Sequence, residues 1–291
     1  MAYHSGSASD MDAVRGALVA ACTAEGWSWG GEVLSKNGVF VRLQVVSGYL
    51  TLLGRTSAGA GDAPNVVRMG TLGSTELTWP LTYELFVFEA EVYMVLNYSV
   101  DHYQFCGFGK STVQGLPGSG NWVMATLSGD HPSGRVTISP ISGGFGGTFP
   151  VAPAPFWGTS GTFGTVRNYW IHSDLDGQGW WLAQTLAGDP IGIRGAVPLM
   201  GLLPNRWNSE AVLLPIRGWK VRPENKITLT LDLEHARWTR VDNYEPGQLI
   251  SIGPDRWKIF PCYRKNAAAR DGGTGIDHSG TLGWAVRYEG P

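Results

Sequence analysis

This chain predicts a mainly β fold, with antiparallel sandwiches or partly closed barrels, one short N-terminal α-helix and long Gly/Pro-rich loops. Three observations predict it. Charged residues make up only 16% of 291 residues, against 41 Gly and 17 Pro, which suits many short strands joined by tight turns rather than a helical bundle. Two-residue turn signals at Asn37-Gly38, Ser47-Gly48 and Asp271-Gly272 separate runs of β-branched and aromatic residues. Only one stretch, near the N-terminus, carries a clear helical stripe. With 13 Trp, 10 Tyr and 10 Phe the chain holds too much aromatic mass to stay unfolded in water.

Met1-Ala2-Tyr3-His4-Ser5-Gly6 leads into a helix expected over Asp10–Glu25. Ser9 is placed to cap it with Asp12 three positions on, Met11, Val14, Leu18 and Cys22 form its apolar stripe, and Gly26 supplies the stop. A meander follows. Strands are expected at Val39–Val46 and Tyr49–Leu53 on either side of Ser47-Gly48, then at Val66–Met69, Leu81–Phe88, Glu91–Tyr98 and Tyr103–Phe108. In the last of these, Tyr103, Phe105 and Gly107 alternate with Gln104, Cys106 and Phe108, so burial on both faces is expected. From about Gly115 the composition turns to Gly and Pro, as in Gly143-Gly144-Phe145-Gly146-Gly147 and Pro153-Ala154-Pro155, which predicts a long loop. Strands resume at Val166–His172, Trp180–Gln184 and Ile191–Leu203. They continue at Trp219–Arg222, Ile227–Leu233, Gln248–Ile252, Trp257–Phe260 and Leu282–Tyr288. This division gives a helix-plus-meander domain over 1–125, an extended arm over 126–165 and a C-terminal β domain over 166–291.

A net charge of −2 and a pI near 6.3, with no basic stripe, give no electrostatic footprint for nucleic acid. Cys22, Cys106 and Cys262 are widely spaced and read as buried free thiols rather than a disulfide framework or a metal knuckle. No basic region precedes an apolar stretch at the N-terminus, and no apolar run has transmembrane length, so neither a signal peptide nor membrane insertion is expected.

The motifs that could carry chemistry fall short of their physical requirements. Gly109-Lys110-Ser111-Thr112 lacks the glycine that a phosphate loop needs at position 104, which is Gln, and no helix follows to offer its N-terminus. Asp174-Leu175-Asp176-Gly177-Gln178-Gly179 supplies the first oxygens of a calcium loop, but Thr185 stands where a bidentate Glu is needed, and a hairpin tip explains the residues as well. His4, His102, His131, His172, His235 and His278 form no metal-ligand pair. Asp101-His102 lacks a nucleophile elbow anywhere in the chain. Glu84, Glu89, Glu91, Asp174 and Asp176 are the acids that could pair for glycoside hydrolysis, which depends on a separation through space. No catalytic residue, cofactor or metal is therefore assigned.

Tyr3-His4-Ser5-Gly6, the short helix, Gly26-Trp27, Leu34-Ser35-Lys36, Val41-Arg42-Leu43 and Phe105 to Lys110 together carry a resemblance. Their layout resembles a family of tailed-bacteriophage virion proteins encoded among tail and baseplate genes, over about the first 110 residues and loosely beyond. The resemblance implies a non-enzymatic structural role, most of all in the tail tip or baseplate. It implies location in the virion after assembly in the host cytoplasm, and partnership with copies of itself and other tail proteins. Two rival readings are a receptor- or carbohydrate-binding tail module and a neck, collar or capsid decoration protein.

The tryptophans bear on both. Within the stretch from Gly115 to Trp157, Trp122, Phe145, Phe149, Phe156 and Trp157 are the candidate interface anchors of an arm that follows a neighbouring subunit in a symmetric assembly. Trp157, Trp180 and Trp181 are the candidate contacts to a host-surface glycan.

Overall fold

The computed structural model describes residues 1–63, 65–71, 77–99, 102–130, 136–137, 171–174, 180–182, 212–221, 223–241, 243–261 and 282–291. Its elements begin with β1 (Ala2–Ala8) and α1 (Met11–Ala24). Then come β2 (Ser28–Gly30), β3 (Val33–Lys36), β4 (Val39–Val46), β5 (Tyr49–Arg55), β6 (Asn65–Met69), β7 (Leu81–Val87), β8 (Glu91–Ser99) and β9 (His102–Lys110). These are followed by β10 (Asn121–Ala125), β11 (Leu127–Asp130), β12 (Val136–Thr137), β13 (Ile171–Asp174) and β14 (Trp181–Leu182). The last are β15 (Leu214–Val221), β16 (Ile227–Arg240), β17 (Leu249–Ile252), β18 (Asp255–Pro261) and β19 (Leu282–Arg287). The fold is mainly β with a single α-helix among the described residues, as the composition predicts.

The strands form three antiparallel sheets. The central one runs β1-β7-β8-β9-β10-β13-β14, the second β12-β11-β6-β5-β4-β3-β2, and the third β15-β16-β19-β18-β17. The sheets stack as open layers, and none closes into a barrel among the described residues. Alternation along β8 explains the stacking. Val92, Met94 and Leu96 point into a core shared with α1 and with Val41, Leu43, Leu50 and Leu52 of the second sheet. Tyr93 and Val95 point the other way, into an aromatic core with Phe86, Phe105 and Trp122 that meets Leu231, Trp238, Phe260 and Trp284 of the third sheet. The central sheet is therefore buried on both faces, and β9 has the two-sided burial that its sequence predicts.

The helix is set by its ends. Asp10, not Ser9, is the N-cap: its Oδ1 accepts from Ala13 N at 2.7 Å, while Ser9 donates its hydroxyl to Asp10. At the other end Gly26, with φ +82°, lets its N–H reach Thr23 O while Trp27 N reaches Cys22 O, a Schellman closure. The Asn37-Gly38 and Ser47-Gly48 turns have positive φ at both residues, so each joins its strands as the expected tight hairpin. Asp271-Gly272 lies outside the described residues.

Three sequence expectations change. The segment before the helix is a strand, β1, paired along its whole length with β7, because ladder pairing outweighs its polar Ser-Gly composition. Trp122 belongs not to a loop but to β10, paired with β9. The boundary at 125/126 does not fall between sheets: β11 continues from β10 into the second sheet, and β13 and β14 extend the central one. Most of the expected arm and the strand expected at Ile191–Leu203 lie outside the described residues.

Candidate functional site

The most distinctive polar group of the described residues is Glu91, 1% exposed at the seam of the central and third sheets. The turn before it is closed by Phe88 N donating to Glu91 O (2.8 Å), which starts β8 at Glu91. Opposite it on β9 stands Gly109; a Cβ there would lie 2.8 Å from Glu91 Cα, so glycine allows this close approach.

The partner of Glu91 comes from a defect in β16. Between Leu233 and Ala236 the strand loses its register with β15, whose Pro215 faces Arg237 while Arg217 faces Asp232. The backbone amides thus freed need acceptors. Glu91 supplies them: Oε1 accepts from Glu234 N (3.0 Å) and Oε2 from His235 N (2.9 Å). Arg237 satisfies the carbonyls of the same bulge, donating from Nη1 to Leu233, Glu234 and Ala236 oxygens at 2.8–3.0 Å. The Glu91 carboxylate also accepts from Tyr93 OH (2.9 Å) and lies 2.9 Å from His235 Nδ1. His235 is held flat on Phe88, with ring centroids 3.8 Å apart. Burial first, and then the Glu91 charge, push the Tyr93 phenol well above its ordinary range, so it remains a donor.

Chemically this is a carboxylate–histidine pair without a third member. His235 Nε2 faces Glu234 Oε1 at 3.9 Å, and among the described residues no hydroxyl or thiol bonds to the ring. Glu91 is occupied by three certain donors and the imidazole, so its lone pairs are engaged in holding the bulge rather than turned to an open cleft.

Two further ties run along the same seam. Tyr3 OH donates to Glu84 (2.8 Å), and Lys258 of β18 bridges Glu84 and Tyr3, its ammonium 4.8 Å from the Tyr3 ring centre. Burial works against the Lys258 charge, but the bonds to Glu84 and Tyr3 outweigh it and raise its pKa; Tyr3 is itself raised, mainly by burial. Ser111 Oγ accepts from Asp232 N (3.1 Å), and Thr112 N donates to Asp232 O (3.0 Å). The Gly109-Lys110-Ser111-Thr112 motif is therefore a strand end whose hydroxyls fasten the third sheet.

The remaining candidates resolve as follows. Glu89 sits in an exposed turn and accepts from Lys36 Nζ (2.7 Å) and Asn37 Nδ2 (2.6 Å), which hold it below the usual carboxylate range. Glu84, Glu89 and Glu91 are thus each engaged by separate partners. Asp174 ends β13, which pairs antiparallel with β14, and Asp176 lies outside the described residues. Among the described residues no group of three His, Cys, Asp or Glu could hold a metal ion.

Trp122, expected among the arm's anchors, is 1% exposed in the chain's own aromatic core, with its ring 5.7 Å from that of Tyr93. Its body is already spent inside the molecule. Trp180 is half-buried, packs on Gly54 and donates from Nε1 to Gly61 O at 2.7 Å, so the indole N–H that would greet a sugar is engaged. Trp181 lies in β14, and Phe145, Phe149, Phe156 and Trp157 lie outside the described residues. Comparison with known proteins finds no matching family model and no matching curated protein.

Proposed function

We propose that this chain is a non-enzymatic structural component of a tailed-phage virion, in the tail tip or baseplate, working in a symmetric assembly with copies of itself and other tail proteins. The observation that carries the reading is the use made of Glu91. The buried acid that would be the first candidate for catalysis is committed to fastening two sheets at a strand bulge. Ser111, Thr112, Glu84 and Lys258 do the same at other points of the seam, a pattern that favours rigidity over turnover. The segments behind the family resemblance also occupy connected places: Tyr3-His4-Ser5-Gly6 in β1, Gly26-Trp27 in the helix stop, and Leu34-Ser35-Lys36 and Val41-Arg42-Leu43 in adjoining strands. Lys36 joins the helix end to the β7–β8 turn by donating to Glu25 O and Glu89.

Mass spectrometry of purified particles tests the assignment: the chain is expected at a fixed stoichiometry to known tail proteins. Purified particles that lack it would overturn the reading. Cleavage of capsular or lipopolysaccharide glycan by the purified protein would replace the structural class with an enzymatic one. The glycan-binding alternative predicts array binding that Trp180→Ala or Trp181→Ala abolishes.

A further inference from the structure

We propose that β17, the outer strand of the third sheet, pairs antiparallel with β17 of a second copy of this chain, making a two-fold dimer through a continuous sheet. The proposal concerns self-association alone and goes beyond the virion reading, whose expected arm contact lies mostly outside the described residues.

The sheet edges among the described residues differ in how they are protected. β2, β12 and β14 run only two or three residues. β15 is interrupted by Pro215 and two register shifts and carries the exposed Arg217. β1 presents exposed Ser5, Gly6 and Ser7. These are the devices that keep edges from pairing. β17 has none of them: Leu249-Ile250-Ser251-Ile252 holds no charge, proline or bulge, and Leu249 and Ile252 are each 42% exposed.

The occupant follows from the strand's chemistry. The run from Leu249 to Pro254 is neutral, so an identical strand laid against it brings no like charge opposite. The ladder to β18 shows which groups are available. Ile259 N donates to Gln248 O, so by alternation Ile250 and Ile252 turn their backbone inward and Leu249 and Ser251 turn theirs outward. Pairing centred on Ser251 satisfies the outward groups of Ser251 in both copies and sets Ile250 opposite the copy's Ile252. Ile250 already packs on a small apolar cluster with Trp257 and Ile259 on that face. The second copy's Ile252, 42% exposed in the single chain, therefore extends an existing cluster and leaves the water. Such a contact is isologous, the commonest form of closed assembly.

Sedimentation equilibrium of the full chain between 1 and about 100 µM, a range spanning typical non-obligate affinities, tests this. A dimer is expected, weakened at least tenfold in Kd by Ile252→Lys and by Ser251→Pro. Trp29→Lys, on the exposed three-residue edge β2, is expected to dimerise as the parent does. Because Ile252 is exposed, Ile252→Lys should keep the parent's circular dichroism and melting temperature. Amide exchange at Ser251, slowing as the parent's concentration rises, gives a readout that needs no variant. A parent that is monomeric throughout, or a dimer that neither β17 variant weakens, would overturn the proposal. Absence of the chain from virions would leave this measurement untouched, so the two readings fail separately.

Discussion

Replacing Glu91 by alanine orphans two backbone amides of the β16 bulge and the Tyr93 hydroxyl, all within the seam between the central and third sheets. A buried donor left without an acceptor costs about 1–3 kcal/mol. The three groups share one site into which a water can enter, so the costs do not add fully, and about 3–5 kcal/mol is the expected loss. At about 2–4 °C per kcal/mol for a chain of this size class, the melting temperature should fall by roughly 10 °C. Glu91→Gln keeps an oxygen for Tyr93 OH, His235 N and the His235 ring at Oε2 but sets an NH2 against Glu234 N–H, so it should lose about half as much. Urea and thermal melts followed by tryptophan fluorescence read the stability. Near-ultraviolet circular dichroism reads the packing of Trp284, whose ring lies 5.9 Å from Tyr93. Glu89→Gln, in an exposed turn, is the control and should leave the midpoint within replicate scatter. If Glu91→Ala melted with the parent, or no lower than Glu89→Gln, the view of Glu91 as the fastening of the third sheet would be wrong.

Alkali should weaken the fold. Lys258, Tyr3 and Tyr93 all have pKa values raised in the folded state, so the native form holds more protons than the unfolded one as pH climbs past their ordinary values. Urea midpoints should thus hold steady between pH 7 and 9 and drop above about pH 10, and Lys258→Met should flatten the drop. Burial pushes the thiols of Cys22 and Cys106 upward, so in a Cys262→Ser background neither should react with a thiol reagent at pH 8 until denaturant is added. Fast labelling of either in the native protein would contradict their burial. Asp10→Ala should cost about 1 kcal/mol by removing the helix N-cap, whereas Ser9→Ala should cost little, a contrast visible in paired urea melts.

The features legible in the sequence were those whose cause is local. Asn37-Gly38 and Ser47-Gly48 adopt positive φ with little help from the rest of the chain, and the helix stop at Gly26 is set within five residues. The two-sided burial of β9 was visible because both of its alternating sets are apolar. β1 was missed because its stability resides in β7, some eighty residues away. The Glu91 site had a partial trace. Leu229, Leu231 and Leu233 occupy odd positions and Ala236 and Trp238 even ones, a change of phase that marks a bulge within one long strand. The run of alternating leucines alone predicts a strand that ends at Leu233. That the freed amides meet Glu91 depends on two sheets packing, and no spacing along the chain encodes it.

The two-sided central sheet also has a history in time. Its strands β7 to β10 are complete once the ribosome has passed Ala125, and the aromatic face of Phe86, Tyr93, Phe105 and Trp122 exists from then on. Its cover, β15 to β19, ends only at Arg287. At the usual 5–20 residues per second, that face waits on the order of ten to thirty seconds for its partner. Nascent chains are therefore vulnerable in that interval. Chaperones that hold apolar strands should raise the soluble yield more than later rescue can, and truncations before residue 214 should aggregate rather than fold into a smaller version of the molecule.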